Sequence, residues 1–169
     1  MKNFCFLFLL LMVACNDDDM TTTINPINQL PPATMTGENT FGCLINGEPW
    51  VAQVNNHIDN KLDVIFNPFF NELQFHARID ASGQRERILM AIVDVVGEGE
   101  YDLIYLDKML RDWENATSYE LDTLESKKLI LHKFDEANKI VSGIFEFTVF
   151  RENDTLKITD GRFDASYRN

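Results

Sequence analysis

The chain has 169 residues, 45% of them apolar, with 15 basic and 27 acidic side chains and a formal charge of −12. A polypeptide this acidic is repelled by nucleic acid and by anionic lipid headgroups, which excludes nucleic-acid binding. No segment beyond the first 14 residues is long and apolar enough to span a bilayer.

The chain opens with Met1-Lys2-Asn3 and then an apolar run from Phe4 to Ala14. One positive charge, a short apolar stretch and a small residue is the layout of a secretory signal. As a helix the 14 residues before Cys15 reach only about 21 Å, against about 30 Å of hydrocarbon. It ends in Leu11-Met12-Val13-Ala14-Cys15, which resembles the bacterial lipobox. That resemblance implies cleavage before Cys15 and acylation of Cys15. Two or three acyl chains hold a protein on a membrane essentially permanently, since each buried CH₂ contributes about 0.8 kcal/mol. Asp17, Asp18 and Asp19 follow. They read either as a solvated spacer or, by resemblance to Bacteroidetes surface lipoproteins, as an export signal to the outer membrane and its external face.

Cutting 14 residues from 169 leaves 155, enough for one domain with a real core. With Cys15 lipidated, Cys43 has no intramolecular partner and is expected to be a small buried apolar residue. Residues 15–39 are poor in large apolar groups and carry Pro26, Pro31 and Pro32. They are expected to form the lipidated cysteine and a flexible tether, with a single all-β domain over 40–169.

Within that domain the dominant period is two. Asn46-Gly47 predicts a tight hairpin between 41–45 and 50–54, because that turn requires positive φ. Leu73, Phe75, Ala77 and Ile79 alternate with polar residues, as do Val141, Gly143, Phe145, Phe147 and Val149, then Leu156 and Ile158, then Phe163, Ala165 and Tyr167. Such alternation marks strands with one buried face. Residues 88–96 are apolar on both parities and read as a central strand. Residues 107–125 lack alternation and read as a long loop with one helical turn. Ser82-Gly83, 135–138, Asn153-Asp154 and Asp160-Gly161 are expected to be turns. The architecture expected is an antiparallel β-sandwich or flattened barrel of roughly 8–10 strands.

A family resemblance rests on three stretches: 31–47 with Trp50, 99–103 (Gly-Glu-Tyr-Asp-Leu), and Ile140-Val141-Ser142-Gly143 with Phe145 and Phe147, then Ile158-Thr159-Asp160-Gly161-Arg162-Phe163-Asp164. They resemble a Bacteroidetes outer-membrane lipoprotein domain family of unknown function. The resemblance implies an all-β extracytoplasmic domain and carries no catalytic residue.

Candidates for chemistry are sparse. His57, His76 and His132 share no metal-ligand spacing with one another or with a cysteine, so they read as surface residues, and no metal or cofactor is expected. No nucleophile elbow is present. Glu98, Glu100 and Asp102 form an acidic cluster that reads as a solvated turn or as an oxygen-rich calcium or sugar-hydroxyl site. Arg162 and Asp164 share a parity and are expected to pair on the outer face. Most Phe fall on buried parities. Tyr105, Trp113 and Tyr119 lie in or beside the irregular segment and are the candidate binding residues, by stacking on a sugar ring or anchoring a protein. Asp122-Thr123-Leu124 and Asp154-Thr155-Leu156 resemble the Bacteroidetes O-glycosylation signal, which makes Thr123 and Thr155 candidate acceptors. The reading that follows is a non-enzymatic, membrane-anchored module for a glycan or protein ligand. The alternatives are a glycan hydrolase with paired carboxylates near 97–102 and 107–125, and an inhibitor or immunity-type protein whose acidity masks a basic partner.

Overall fold

Alternating apolar residues bury one face of each strand, and two such faces must close on each other. The computed structural model describes residues 25–55, 60–81, 84–103, 109–110 and 118–169, so Tyr105, Trp113, His57 and the segment 1–24 with Cys15, Asp17, Asp18 and Asp19 lie outside the described residues. It contains twelve strands: β1 (Thr40–Ile45), β2 (Glu48–Val51), β3 (Gln53–Val54), β4 (Leu62–Asn67), β5 (Glu72–Ala81), β6 (Gln84–Ile92), β7 (Gly99–Asp102), β8 (Met109–Leu110), β9 (Ser118–Leu121), β10 (Lys127–Asp135), β11 (Ile140–Arg151) and β12 (Asp154–Ser166). The all-β sandwich expected from the alternation is the observed architecture. There are more strands than expected because β3 and β8 are two-residue pieces.

The front layer runs β2-β1-β12-β11-β10-β7, antiparallel throughout. The back layer is built on β5, which pairs with β6 on one edge and with β4 and β3 on the other. The strip β6-β8-β9 continues to β11, so the layers remain hydrogen-bonded along one seam. At the other seam Ile65 bridges to Arg168. Leu73, Phe75, Ala77, Ile79 and Ala81 face Phe41, Phe145, Phe147 and Phe163 across the interior. Phe75 meets Phe163 at 4.6 Å between ring centroids, and Phe41 meets Phe145 at 4.9 Å. Ring pairs in such tilted geometry add about 0.5–1.5 kcal/mol each beyond their area.

The Asn46-Gly47 hairpin forms as predicted, with φ of 50° and 85°. Asn46 also accepts from the Lys157 amide at 2.8 Å through its side chain, tying the hairpin to β12. Cys43 is fully buried. Burial pushes its thiol far above the ordinary range, and the nearby Glu86 carboxylate adds to the shift. The native protein is therefore expected to ignore thiol-specific reagents and to react fully once unfolded; fast native labelling at neutral pH would contradict the buried position.

Three expectations need correction. Residues 25–39 were expected to be part of a flexible tether, yet they are docked on the domain. A short 3-10 helix (Pro26–Gln29) is capped by the Asn25 side chain, and Leu30 is buried. Asp160-Gly161 is not a hairpin turn; β12 runs straight through it with a bulge, and Asp160 rather than Gly161 has positive φ, 52°. A bulge and a tight turn both need one residue in that region, so the local sequence does not separate them. The central strand expected over 88–96 stops at Ile92, where Asp94 turns left-handed with φ of 57° and sends Val96 into solvent.

Candidate functional site

The outer face of the front layer is organised in cross-strand rows. The first contains Ser142 and Asp164, which are direct partners on β11 and β12, and Thr40 opposite Asp164 on β1. The second is Ile130, Ile144, Arg162 and Gly42, and the third begins with Lys128 and Glu146. Residues 31–39 lie across the first row as a strap. Asp164 Oδ2 accepts from the Thr34 hydroxyl at 2.7 Å, the Thr36 amide at 3.0 Å and the Glu38 amide at 3.2 Å. Its Oδ1 accepts from the Gly37 amide at 2.8 Å. Asp164 is therefore buried under its own chain and does not pair with Arg162 as expected. Burial pushes its carboxyl up, but the Thr34 hydroxyl and the amides of Gly37, Thr36 and Glu38 outweigh that, so it is held below the ordinary value.

Glycines make the strap possible. Gly37 has φ of +84°, which aims its amide at Asp164. At Gly42 an added Cβ would sit 2.7 Å from the Pro31 ring. Residues 31–39 and the end of β12 thus meet in a structural device, an extended segment latched to one carboxylate.

Beside the strap lies an open groove of about 480 Å³, bordered by Ala33 and lined by Ile130, Ile144, Glu146, Asp160 and Arg162. Lys128 at its rim pairs with Glu100 at 2.8 Å, and Ser126 donates to Glu146 at 2.8 Å. Two carboxylates line this groove, Glu146 and Asp160, and both are exposed among the described residues.

At one end of the sandwich the turn between β4 and β5 exposes an aromatic pair. Phe69 is 85% exposed and Phe70 61%, packed edge-to-face with centroids 4.8 Å apart. The turn is rigid: the Asn67 side chain accepts from the Phe69 amide at 3.0 Å, and Asn71 has φ of 48°. The β6–β7 loop is joined to it, since the Val95 amide donates to the Asn71 carbonyl at 2.9 Å. That bond ties the loop that carries Val96, 86% exposed, to the turn that carries the pair. Tyr101 fixes the loop from below, donating to the Gly97 carbonyl at 2.7 Å and accepting from the Val96 amide at 3.3 Å. Residues 67–72 and 93–102 contain Glu72, Asp94, Glu98, Glu100 and Asp102 and no Lys or Arg. The segments that carry the exposed apolar residues are thus acidic in composition, with Glu100 paired to Lys128.

Tyr119, expected as an exposed stacking residue, is buried in β9 and donates its hydroxyl to the Asp154 carboxylate. The segment expected to be a loop supplies the strip that joins the two layers, which is why its aromatic ring turns inward. Thr123 lies in an exposed turn and Thr155 on an exposed position of β12. His76 and His132 are exposed on β5 and β10. Glu100 is engaged with Lys128, and among the described residues no three His, Cys, Asp or Glu side chains converge to hold a metal ion. Phe69 and Phe70 had no signal in the strand periodicity; the flanking Asn67-Pro68 and Asn71 mark the turn that exposes them. Comparison with known proteins finds no matching family model, no matching curated protein and no matching solved structure.

Proposed function

We propose that this chain is a lipid-anchored envelope protein, non-enzymatic, that binds a partner through the aromatic tip formed by Phe69, Phe70 and Val96. The exposed, rigidly held aromatic pair is the observation that carries the binding reading. Folded proteins rarely leave two large aromatic side chains packed on each other in water, with a further exposed apolar residue on the loop tied to their turn, unless a partner covers them, and aromatic anchors dominate binding energy at interfaces. The acidic composition of these segments favours a partner with a basic rim, which supports the inhibitor or immunity-type version of the reading over a glycan ligand.

The anchoring part rests on the lipobox-like end at Cys15 and the acidic run after it. Strap docking affects geometry, because the chain between Cys15 and Asn25 then spans at most about 35 Å when extended. The domain would stay close to its membrane. Cys15→Ala should move the protein from the membrane pellet to the soluble fraction, and retention in the pellet would refute lipid anchoring. Protease shaving of intact cells should cut the wild type and spare a variant with Asp17, Asp18 and Asp19 all changed to Ala if that run directs export to the outer face.

For the tip, a photo-crosslinking residue at position 69 in living cells should yield one discrete adduct. The same residue at the exposed position 155 should yield none. Phe70→Ser should abolish the adduct while changing stability by less than about 0.5 kcal/mol, as expected for a surface position. Equal adducts at 69 and 155 would count against the tip as the contact surface.

A further inference from the structure

We propose that the groove beside the strap binds an extended peptide presenting a carboxylate and one apolar side chain. The inference rests on the juxtaposition of the Ile130–Ile144 row, the Arg162 guanidinium and the Asp160 carboxylate next to a face already occupied by extended chain. It is independent of the aromatic tip and of the lipid anchor.

The strap shows what this face holds. An extended backbone lies across the first row, with its amides given to a carboxylate rising from β12. The Pro31 ring fills the second row only at Gly42. The remaining members of that row, Ile130, Ile144 and Arg162, are left as the groove floor. Ile144 is 38% exposed, a β-branched apolar side chain turned outward in the middle of a strand.

Charge decides the ligand. Lys128 is paired with Glu100, and Glu146, which takes the Ser126 hydroxyl, keeps its negative charge at the Lys128 end of the groove. Arg162 is half-buried, and its one hydrogen bond among the described residues is a long one, from Nε to the Asp160 carbonyl at 3.4 Å. No carboxylate pairs with its terminal nitrogens among the described residues. A planar guanidinium fork held beside an apolar floor suits a carboxylate better than any other common group. The bulge aims Asp160 at the same space, and its carboxylate has no ion-pair partner among the described residues, so it is available to a peptide amide or ammonium. A volume of about 480 Å³ suits two or three residues.

The test is an amide-resolved NMR titration of the purified full chain with three probes: Ala-Leu-Ala as the free acid, its C-terminal amide, and glucuronic acid. The free acid should give saturable shifts at Ile130, Ile144, Gly161 and Arg162. The amide should bind about tenfold more weakly, and Arg162→Ala should weaken the free acid by a similar factor. Arg162→Lys keeps the charge without the fork and should weaken it several-fold, so the test survives if the alanine variant folds poorly. Equal binding of acid and amide, tight binding of glucuronic acid, indifference to both Arg162 variants, or no saturation by ~10 mM would each overturn the proposal.

Discussion

Replacing Asp164 by Asn is expected to lower stability by about 3–4 kcal/mol, the scale for breaking a buried, charge-assisted hydrogen-bond cluster. The carboxylate takes four donors within 3.2 Å, three of them backbone amides of the strap, and a long fifth from the Thr36 hydroxyl at 3.5 Å. An amide in its place turns an NH₂ toward at least one of those donors and removes the charge that strengthens the rest. Thr34→Val removes one donor and leaves the three amides satisfied, so it should cost about 1 kcal/mol. Urea unfolding of the three proteins measures both numbers, and limited proteolysis within 31–38 should be fast only in Asp164→Asn. Equal costs for the two variants would show that the latch is not centred on the carboxylate. The pH dependence follows from the lowered native pKa. The unfolded chain binds the proton more readily, so the stabilisation is complete above the unfolded value near 4 and drains as pH falls through the native one. Asp63 and Asp135 are lowered as well, by Arg168 and by Asn138. The loss specific to Asp164 is therefore the difference in acid slope between wild type and Asp164→Asn, with the wild type steeper.

The sequence made the strand faces legible and hid the latch, for one physical reason. A buried face advertises itself through side-chain polarity, so the alternation at 73–79, 141–149 and 163–167 is enough to place Phe75, Phe145 and Phe163 in the interior. The strap binds through backbone amides at Thr36, Gly37 and Glu38, which every residue but proline carries. Only Gly37, through its positive φ, and Thr34, through its hydroxyl, contribute by identity, and neither residue type by itself marks a docked segment. Asp164 likewise follows the polar parity of its strand, and only the segment lying over it makes it a buried group. The tip was missed for the opposite reason. Phe69 and Phe70 have core composition, and their exposure comes from a four-residue turn, 68–71, whose geometry is set by Asn67 and Asn71. Tyr119 shows the same limit in reverse, since a segment without periodicity nevertheless supplies two short strands that close the sandwich.

Gly143→Ala is expected to be the most damaging single-methyl change in the chain. Gly143 sits on β11 opposite Leu131 and Phe163. A Cβ there would lie 2.1 Å from the Ile130 carbonyl oxygen and 2.9 Å from the Phe163 ring. The oxygen cannot retreat cheaply, because β10 is held on both edges, with Ile130 opposite Ile144 on one side and Glu100 on the other. Separating β10 from β11 or displacing the Phe163 ring into the Phe75 contact should cost about 3 kcal/mol or more. Gly47→Ala is the control. Its φ is +85° and its added Cβ meets nothing within 4 Å. It should therefore cost only the conformational penalty of about 1–2 kcal/mol. If the two variants unfold at the same urea concentration, the close approach at Gly143 is not what excludes a side chain there. The position also couples fold to site. Ser142 on one side of it lies in the row beneath the strap, and Ile144 on the other is the floor of the groove. Any Gly143 variant that still folds should therefore loosen the strap and weaken peptide binding together, whereas Phe69 and Phe70, on the far side of the β10 ladder, should keep their contacts.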